Sequence, residues 1–552
     1  MKNNIYIIGL LVFMLFSSCQ DDFLDEELLS SYDPTELNDE LGLDAALIGI
    51  QNQYSIWQTF AYDYASAGGQ GWLGVWQIGT DVAYNKAPAD FDPWTVPYTN
   101  YENLTPTDPA VLFTWVWGYK IINNANSIIA AIGNPETVLE PAAKAKIEGE
   151  AKFYRGLAYN TLVTLFGRVP MITATVDGPK TDFEKASLDE LNTLIEDDLT
   201  FARNNLPTVN NVDGNSKGKM YSRAHVAMAE QVLAEAYLRM GKNDLAEATC
   251  NAIIDSGDFS LVTQRYGVKA SQPGDPFSDM FIYGNQRRSQ GNTEAIWVLE
   301  IENPASVIGG SGEFSVGLDS YLIGSPQHRR VWGSRYHQQA GMVLADSLGG
   351  RGISRIALTD WVLDDLYAVD DMRNSKYNLR RDYYYNDPDF ALFGQKVDIT
   401  DPNVNTQRFI VPVTTKWNQF DANDPFGFAM IKDIIIMRLG ETYLLKAEAQ
   451  FKQGKLAEAA ATINVLRNRA NATPVAAGDI TLDFILDERA RELLAEENRR
   501  MTLMRTGQLV NRVGVRGQKI TGISNTHLLL PIPQSEIDLN KDAVLEQNPG
   551  YN

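Results

Sequence analysis

One nine-residue pattern, present twice, constrains this chain more than any other feature. Ala234-Glu-Ala-Tyr-Leu-Arg-Met-Gly-Lys242 and Ala447-Glu-Ala-Gln-Phe-Lys-Gln-Gly-Lys455 agree at five of nine places in a single spacing. Each is followed by Leu-Ala-Glu-Ala, at Leu245–Ala248 and Leu456–Ala459, the first copy holding two extra residues in its turn. Small Ala where two helices meet, an aromatic one turn on, and Gly at the turn are what a tetratricopeptide-type helical hairpin needs. Gly454 suits the left-handed residue that ends one helix before the next begins. Leu444, Ala447 and Phe451 recur at helical spacing, as do Leu456, Ala459, Ile463 and Ala470. The second copy leads into Leu482–Arg500, which reads as a third helix. Some two hundred residues separate the copies, so they read as parts of one helical scaffold with a large insertion between them.

The rest of the chain fits that plan. Leu43, Ala46, Leu47, Ile50 and Tyr54 mark a first helix within residues 34–65. Helices resume near Val111, with Trp115, Tyr119, Ile122, Ala125 and Ile129 on one face. A further helix spans Pro141 to Phe166, stopped by Gly167 and Pro170. Ser187-Leu-Asp-Glu190 is a capping box. From about 256 to 434 the helical period is lost among Gly, Asp, Asn, Pro and aromatics, with strand-like pieces at Ala295–Ile301 and Arg408–Val413. The expected fold class is mainly α, with tetratricopeptide-like hairpins over about 34–255 and 435–552 in one domain and a loop-rich insertion over about 256–434.

The N-terminus reads as a targeting segment. Lys2 precedes an apolar run from Ile5 to Phe16, too short for the roughly 20 residues that cross a bilayer. Ser17-Ser18-Cys19 then resembles a bacterial lipoprotein signal, with Cys19 the lipidated residue and 1–18 removed; an ordinary signal peptide is the other reading. Phe16 stands where that signal usually has Leu. The acids of 19–33 read as a flexible tether. Cys250, the remaining cysteine, fits a small buried hydrophobe.

Charge narrows the function. A formal net charge of −22 argues against nucleic acid, whose phosphates need a basic surface. The four histidines, His225, His328, His337 and His527, show no metal-ligand spacing on a helix. No Gly-x-Ser-x-Gly elbow and no Gly-Lys-Ser/Thr loop occurs. No cofactor is expected. Asp487 to Arg491 and Glu496 to Arg500 read as helix-spaced ion pairs of a structural network rather than an acid–base site. What stands out is a stretch from Trp57 to Tyr101 dense in aromatics and Gly, which reads as loops carrying exposed or half-exposed rings. Sugar C–H faces stack on flat rings, and sugar hydroxyls need planar polar partners. Trp72, Trp76, Trp94, Tyr98 and Tyr101, with Asp81 and Asn100, have that composition; the competing reading makes them core pieces that anchor long loops.

Six motifs in order then resemble the SusD/RagB family of outer-membrane lipoproteins. They are Cys19 with Asp22-Phe-Leu-Asp25; Trp117 to Asn126; Glu150-Ala-Lys-Phe-Tyr-Arg155 running to Pro170; Arg438-Leu-Gly-Glu-Thr-Tyr-Leu with Ala447-Glu-Ala and Arg467-Asn-Arg; Glu488-Arg-Ala-Arg-Glu-Leu with Arg505-Thr-Gly507; and Leu530-Pro-Ile-Pro-Gln-Ser-Glu536 with Gln547-Asn-Pro-Gly550. The resemblance implies a surface-exposed, lipid-anchored glycan-binding protein of the outer membrane. It also implies a partner, a SusC-like TonB-dependent transporter that imports the ligand. It places ligand contacts in the early loops and in the insertion, which here offers Tyr283 and Trp332. Two alternatives stay open: a peptide- or protein-binding uptake subunit, and a surface glycoside hydrolase, for which some suitably spaced pair among seventy acids is inevitable.

Overall fold

The computed structural model describes residues 37, 39–59, 76–86, 96–176, 178–212, 223–301, 328–405, 410–420 and 430–551. Cys19, Trp72 and Trp94 lie outside them. The described chain is mainly helical: α1 Glu40–Thr59, α2 Pro109–Gly133, α3 Pro141–Phe166, α4 Leu188–Asn205, α5 Val226–Met240 and α6 Asn243–Asp255 precede the insertion. After it come α7 Leu439–Lys452, α8 Leu456–Arg469, α9 Leu482–Leu493, α10 Arg499–Arg505 and α11 Leu509–Arg516. No helix among the described residues is long and apolar enough to cross a membrane.

Local chemistry sets the helix ends. Asp108 caps α2, accepting from the backbone N–H groups of Ala110 and Val111 ahead of Pro109 at the first helical position. Gly167, at φ 72°, stops α3. The Ser187–Glu190 capping box forms as expected. Gly241 and Gly454 take φ 78° and 77°, so both hairpins turn through a left-handed glycine.

Each helix from α2 to α7 packs against the next, α9 packs back on α7, and α1 packs on α2 and α3. The packing does not stop at the insertion. α6 lies against α7 although nearly two hundred residues separate them, so the two copies of the pattern are stacked neighbours. Glu247 of α6 accepts from Gln450, Gln453 and Lys455 across that junction, and Thr442 of α7 donates to Gln231 of α5 at 2.7 Å. The alanines of both copies are buried, as is Cys250, whose thiol burial pushes far above its ordinary range.

The insertion is sewn into the scaffold. Its strand β2, Ala295–Leu299, pairs antiparallel with β6, Ile434–Arg438, which runs straight into α7. β1, Ala83–Asn85, pairs with β3, Ile356–Leu358, so the early segment is tied to the insertion too. Of the expected strand at 408–413, residues 408 and 409 lie outside the described residues; the strand found is β5, Val413–Thr414, paired with β4, Leu379–Arg380. A smaller core of Tyr336, Met342, Tyr383, Tyr385, Val397 and Ile410 serves the insertion locally.

Two sequence expectations are corrected. The segment before Tyr101 is not a set of exposed rings where it is described: Trp57, Trp76, Tyr98 and Tyr101 are buried in the main core. The helix expected over Leu482–Arg500 breaks after Leu493, where Ala495 adopts φ 64°. The expected pairs are replaced by others, of which Arg491–Glu488 stays within α9 one turn apart and the rest are tertiary. Asp487 binds Arg512 and Arg516, Arg491 binds Glu488, and Glu496 binds Arg438 and Lys416. Arg500 donates to the Ile78 carbonyl at 2.8 Å and lies over Tyr98 and Tyr101.

Candidate functional site

The sharp turn after α9 is where the site begins. A non-glycine residue with positive φ costs roughly 1–2 kcal/mol and persists only where its surroundings over-determine it. Here they do. The Ala495 carbonyl accepts from Trp417 Nε1 at 3.2 Å. Arg438 holds Glu496 at 2.7 Å and Glu492 at 2.6 Å, while Arg489 and Arg499 hold Glu497 at 2.7 and 3.0 Å. The turn thus points the Glu497 carbonyl at two early-segment donors, Trp76 Nε1 at 2.9 Å and Gln77 Nε2 at 2.8 Å.

Those contacts form one wall of a cavity of about 120 Å³. Its other walls are Tyr54, Trp57 and Gln58 of α1, Asn160 of α3, Gln231 and Glu235 of α5, Glu441 of α7, the short helix His328–Trp332, and Trp417. Two rings expected as ligand contacts, Trp76 from the early segment and Trp332 from the insertion, therefore meet at one cavity. Trp57 tilts against Trp76 with centroids 5.1 Å apart, and His328 stacks on Trp417 at 4.0 Å. Trp57 Nε1 and Gln77 Oε1 are buried without a hydrogen-bond partner among the described residues. Orphaned polar atoms beside rings are what a ligand with both hydroxyls and apolar faces would satisfy. Burial pushes the Glu441 carboxyl upward, against Arg489 and aided by Glu235 and Glu497. At 120 Å³ the cavity is smaller than the 300–1,000 Å³ typical of small-molecule pockets, so it takes the edge of a ligand rather than a whole chain.

The other expected residues lie elsewhere. Asp81 is fully buried in a clamp with Arg499 at 2.7 Å and Arg512 at 2.6 Å. Burial alone would raise its carboxyl, but the two guanidiniums outweigh that and hold it at about 2. Tyr98 donates to Asp108 at 2.8 Å, and Tyr101 donates to the Gly79 carbonyl, both inside the core. Asn100 caps the turn Tyr101–Asn103. For these four, the structure places the side chains in core and turn roles. Tyr283 is 45% exposed and does not line the cavity. Sequence reasoning missed Trp57, Trp417 and the Glu497 turn. The first two were visible as aromatics; nothing local marked the turn, because Leu482–Arg500 has an unbroken helical pattern.

Among the described residues no group of three His, Cys, Asp or Glu side chains is placed to hold a metal ion. The charged residues instead form a buried lattice. Arg438 bridges Glu294, Glu492 and Glu496; Arg373 bridges Asp371, Glu488 and Glu492; Arg469 binds Glu294 and Glu492. It joins insertion, strand β6 and helices α8 and α9 at one point.

Similar proteins fit this architecture. The family model of the SusD family matches residues 400–551, and that described as starch-binding associating with outer membrane matches 22–233. SusD-like protein P25 of Formosa agariphila is 24% identical over an alignment covering 99% of each chain. A SusD-like protein of Bacteroides ovatus is 26% identical over 54% of this chain, which spans half the length of that relative. The structure of surface glycan-binding protein A from Bacteroides thetaiotaomicron in complex with laminarihexaose superposes with a TM-score of 0.66 at 18% identity, over 92% of this chain and 99% of that one. With two models of the family matching the first and last parts of the chain, residues 22–233 and 400–551, this chain belongs to the SusD/RagB family.

Proposed function

We propose that this protein captures a glycan at the outer membrane, anchored there by lipid on Cys19, and delivers it to a SusC-like TonB-dependent transporter. The observation that carries the binding step is the cavity where Trp57, Trp76, Trp332 and Trp417 meet Gln58, Gln77, Asn160 and Gln231. Rings accept the apolar faces of a sugar and amides its hydroxyls. Relatives named for starch, laminarin or laminarihexaose support the ligand class. The reading is binding without turnover: each acid lining the cavity sits in an ion pair, Glu496 with Arg438 and Lys416, Glu497 with Arg489 and Arg499, Glu441 with Arg489, and Glu235 with Arg505. Trp72 and Trp94 are proposed as further ring contacts, with exposed Tyr283 as an outlying one.

The test is isothermal titration of the chain begun at Asp22 against laminarin and a panel of plant and microbial polysaccharides. Trp76→Ala and Trp332→Ala are expected to weaken binding by about tenfold or more, the loss typical of a central aromatic anchor. Far-UV circular dichroism checks the fold, and Trp→Phe variants separate lost stacking from lost packing. Binding that both Ala variants leave unchanged would move the site away from this cavity. Release of reducing ends by the wild-type protein would make it a hydrolase.

A further inference from the structure

The buried acids Asp81, Glu448, Glu488 and Glu492 are each met by a guanidinium, at 2.6–2.9 Å. Glu536 is treated differently. It lies half-buried in the short helix Gln534–Leu539, and no lysine, arginine or histidine among the described residues pairs with it. Burial pushes its carboxyl up, and the Trp115 indole N–H is what works against that. Around this carboxyl the fold builds a second cavity, of about 260 Å³, more than twice the volume of the first and sharing no lining residue with it.

Three segments meet to form it. α2 presents Trp115 and Tyr119, four residues apart and so on one helix face. The stretch after α3 brings Ile172 and Phe183, and the C-terminal segment brings Glu536 and Leu545. Hydrogen bonds pin each wall to another. Tyr119 Oη donates to the Pro170 carbonyl at 2.8 Å, and Asn126 Nδ2 to the Ile172 carbonyl at 3.0 Å. Phe183 N–H donates to Asn540 Oδ1 at 2.7 Å, and Asp542 N–H to the Thr181 carbonyl at 2.8 Å. The Trp115 and Tyr119 rings lie with centroids 5.0 Å apart, and the Tyr119 hydroxyl is raised by burial and then by Tyr159 and Glu536, so the carboxylate stands near that ring. Lys180 lies over the Phe183 ring at 5.4 Å but pairs with Asp182, not with Glu536.

A carboxylate in an apolar hollow is costly unless donors or a cation meet it, and its two oxygens offer about four acceptor sites. The Trp115 N–H takes one of these. Ring faces attract cations too, through their quadrupole. Volume sets the rest of the ligand: an apolar cavity of about 150 Å³ holds benzene, so this one has room for a ring-sized body and a charged head. We propose that the cavity binds a small organic amine, its ammonium group on Glu536 and its apolar body against Trp115, Tyr119 and Phe183. The inference is independent of the glycan reading, whose cavity is a separate one.

The test is NMR titration of the chain begun at Asp22 with three probes: benzylammonium, benzyl alcohol as a neutral partner of similar shape, and methylammonium, which lacks the ring. Benzylammonium is expected to bind about tenfold or more tightly than either, the first difference coming from a charge-assisted contact and the second from apolar burial. Its excess over benzyl alcohol should be lost in Glu536→Gln, which keeps the side chain's size and leaves Trp115 an acceptor. It should be kept in Glu184→Gln, an equal charge change at an exposed position beside Phe183. If Glu536→Gln does not fold, Glu536→Asp, which withdraws the carboxylate by one methylene, carries the comparison and should shrink the excess. Polysaccharide binding should be the same in Glu536→Gln as in the wild type, so loss of one reading leaves the other standing. Equal affinity for benzylammonium and either other probe overturns the inference, as does no binding of any of the three. An excess that survives in the Glu536 variant, or falls equally in Glu184→Gln, overturns it too. Tighter binding of Nα-acetyl-lysine amide than of benzylammonium overturns the small-amine assignment and makes the cavity a seat for a polypeptide's lysine.

Discussion

Gly440 shows how a residue with no side chain can be among the most constrained in the chain. A Cβ there would lie 2.5 Å from Arg438 Nη1, 2.9 Å from Glu294 Oε1 and 3.0 Å from Glu492 Oε1. Those atoms are the centre of the charge lattice and cannot yield without unpairing a buried ion. Breaking such a pair costs about 3–5 kcal/mol. Gly440→Ala is therefore expected to destabilise by on the order of 3 kcal/mol, read as a lowered urea midpoint; an unchanged midpoint would show that the lattice can shift. Buried ion pairs, in that lattice and outside it, also set the response to acid. Burial raises Asp81 and Glu448, but their arginine partners outweigh it and hold each at about 2. Glu492 and Glu488 are lowered as well, by Arg469, Arg438 and Arg373 and by Arg373, Arg491 and Arg467 respectively, again against burial. A carboxyl lowered on folding contributes stability above its unfolded value, near 4, and loses it as pH falls toward the folded one. Groups raised on folding, such as Asp108 at about 6, are already protonated in both states below pH 4 and do not offset the loss. Stability is expected to fall steeply between about pH 4 and pH 2, and urea midpoints measured across that window that stay level would contradict the pairing.

Elements behave differently from residues here, because their ends follow local rules while their partners do not. The two repeat turns are open: a Cβ on Gly241 or Gly454 would meet nothing within 4 Å, so only backbone conformation is at stake. Gly454→Ala at φ 77° is expected to cost about 1 kcal/mol, well below Gly440→Ala, in equilibrium unfolding. A loss as large as that of Gly440→Ala would mean the turn does more than turn. Capping, glycine stops and helical periodicity were all readable in advance, and α3 runs from Pro141 to Phe166 as its pattern implies. The end of α9 was not readable. Nothing in Leu493–Asn498 is a breaker; the break is imposed by Arg438, Arg489 and Arg499, which draw Glu496 and Glu497 off the helical path. Strand β6 was equally hidden, since its partner β2 lies some 130 residues away.

At the scale of the whole molecule the insertion is part of the core. It supplies Trp297, stacked on Tyr54 at 4.5 Å, and Arg373 and Glu294 to the lattice. Far-UV circular dichroism and tryptophan fluorescence should therefore report one coincident unfolding transition, and two separated transitions would show the insertion folding alone. The amino-acid sequence by itself determined the hairpins, their turns, the helix caps and the family, because periodicity, glycine and capping chemistry act over a few residues. It also named Trp76 and Trp332, since rings are visible as letters. Which rings share a cavity and which vanish into the core depended on long-range pairing: Asp81 with Arg499, Tyr98 with Asp108, and Trp76 with the Glu497 carbonyl 421 residues away. Burial of a charge or a ring is decided by what arrives from elsewhere in the chain to neutralise or cover it, and no local pattern carries that information.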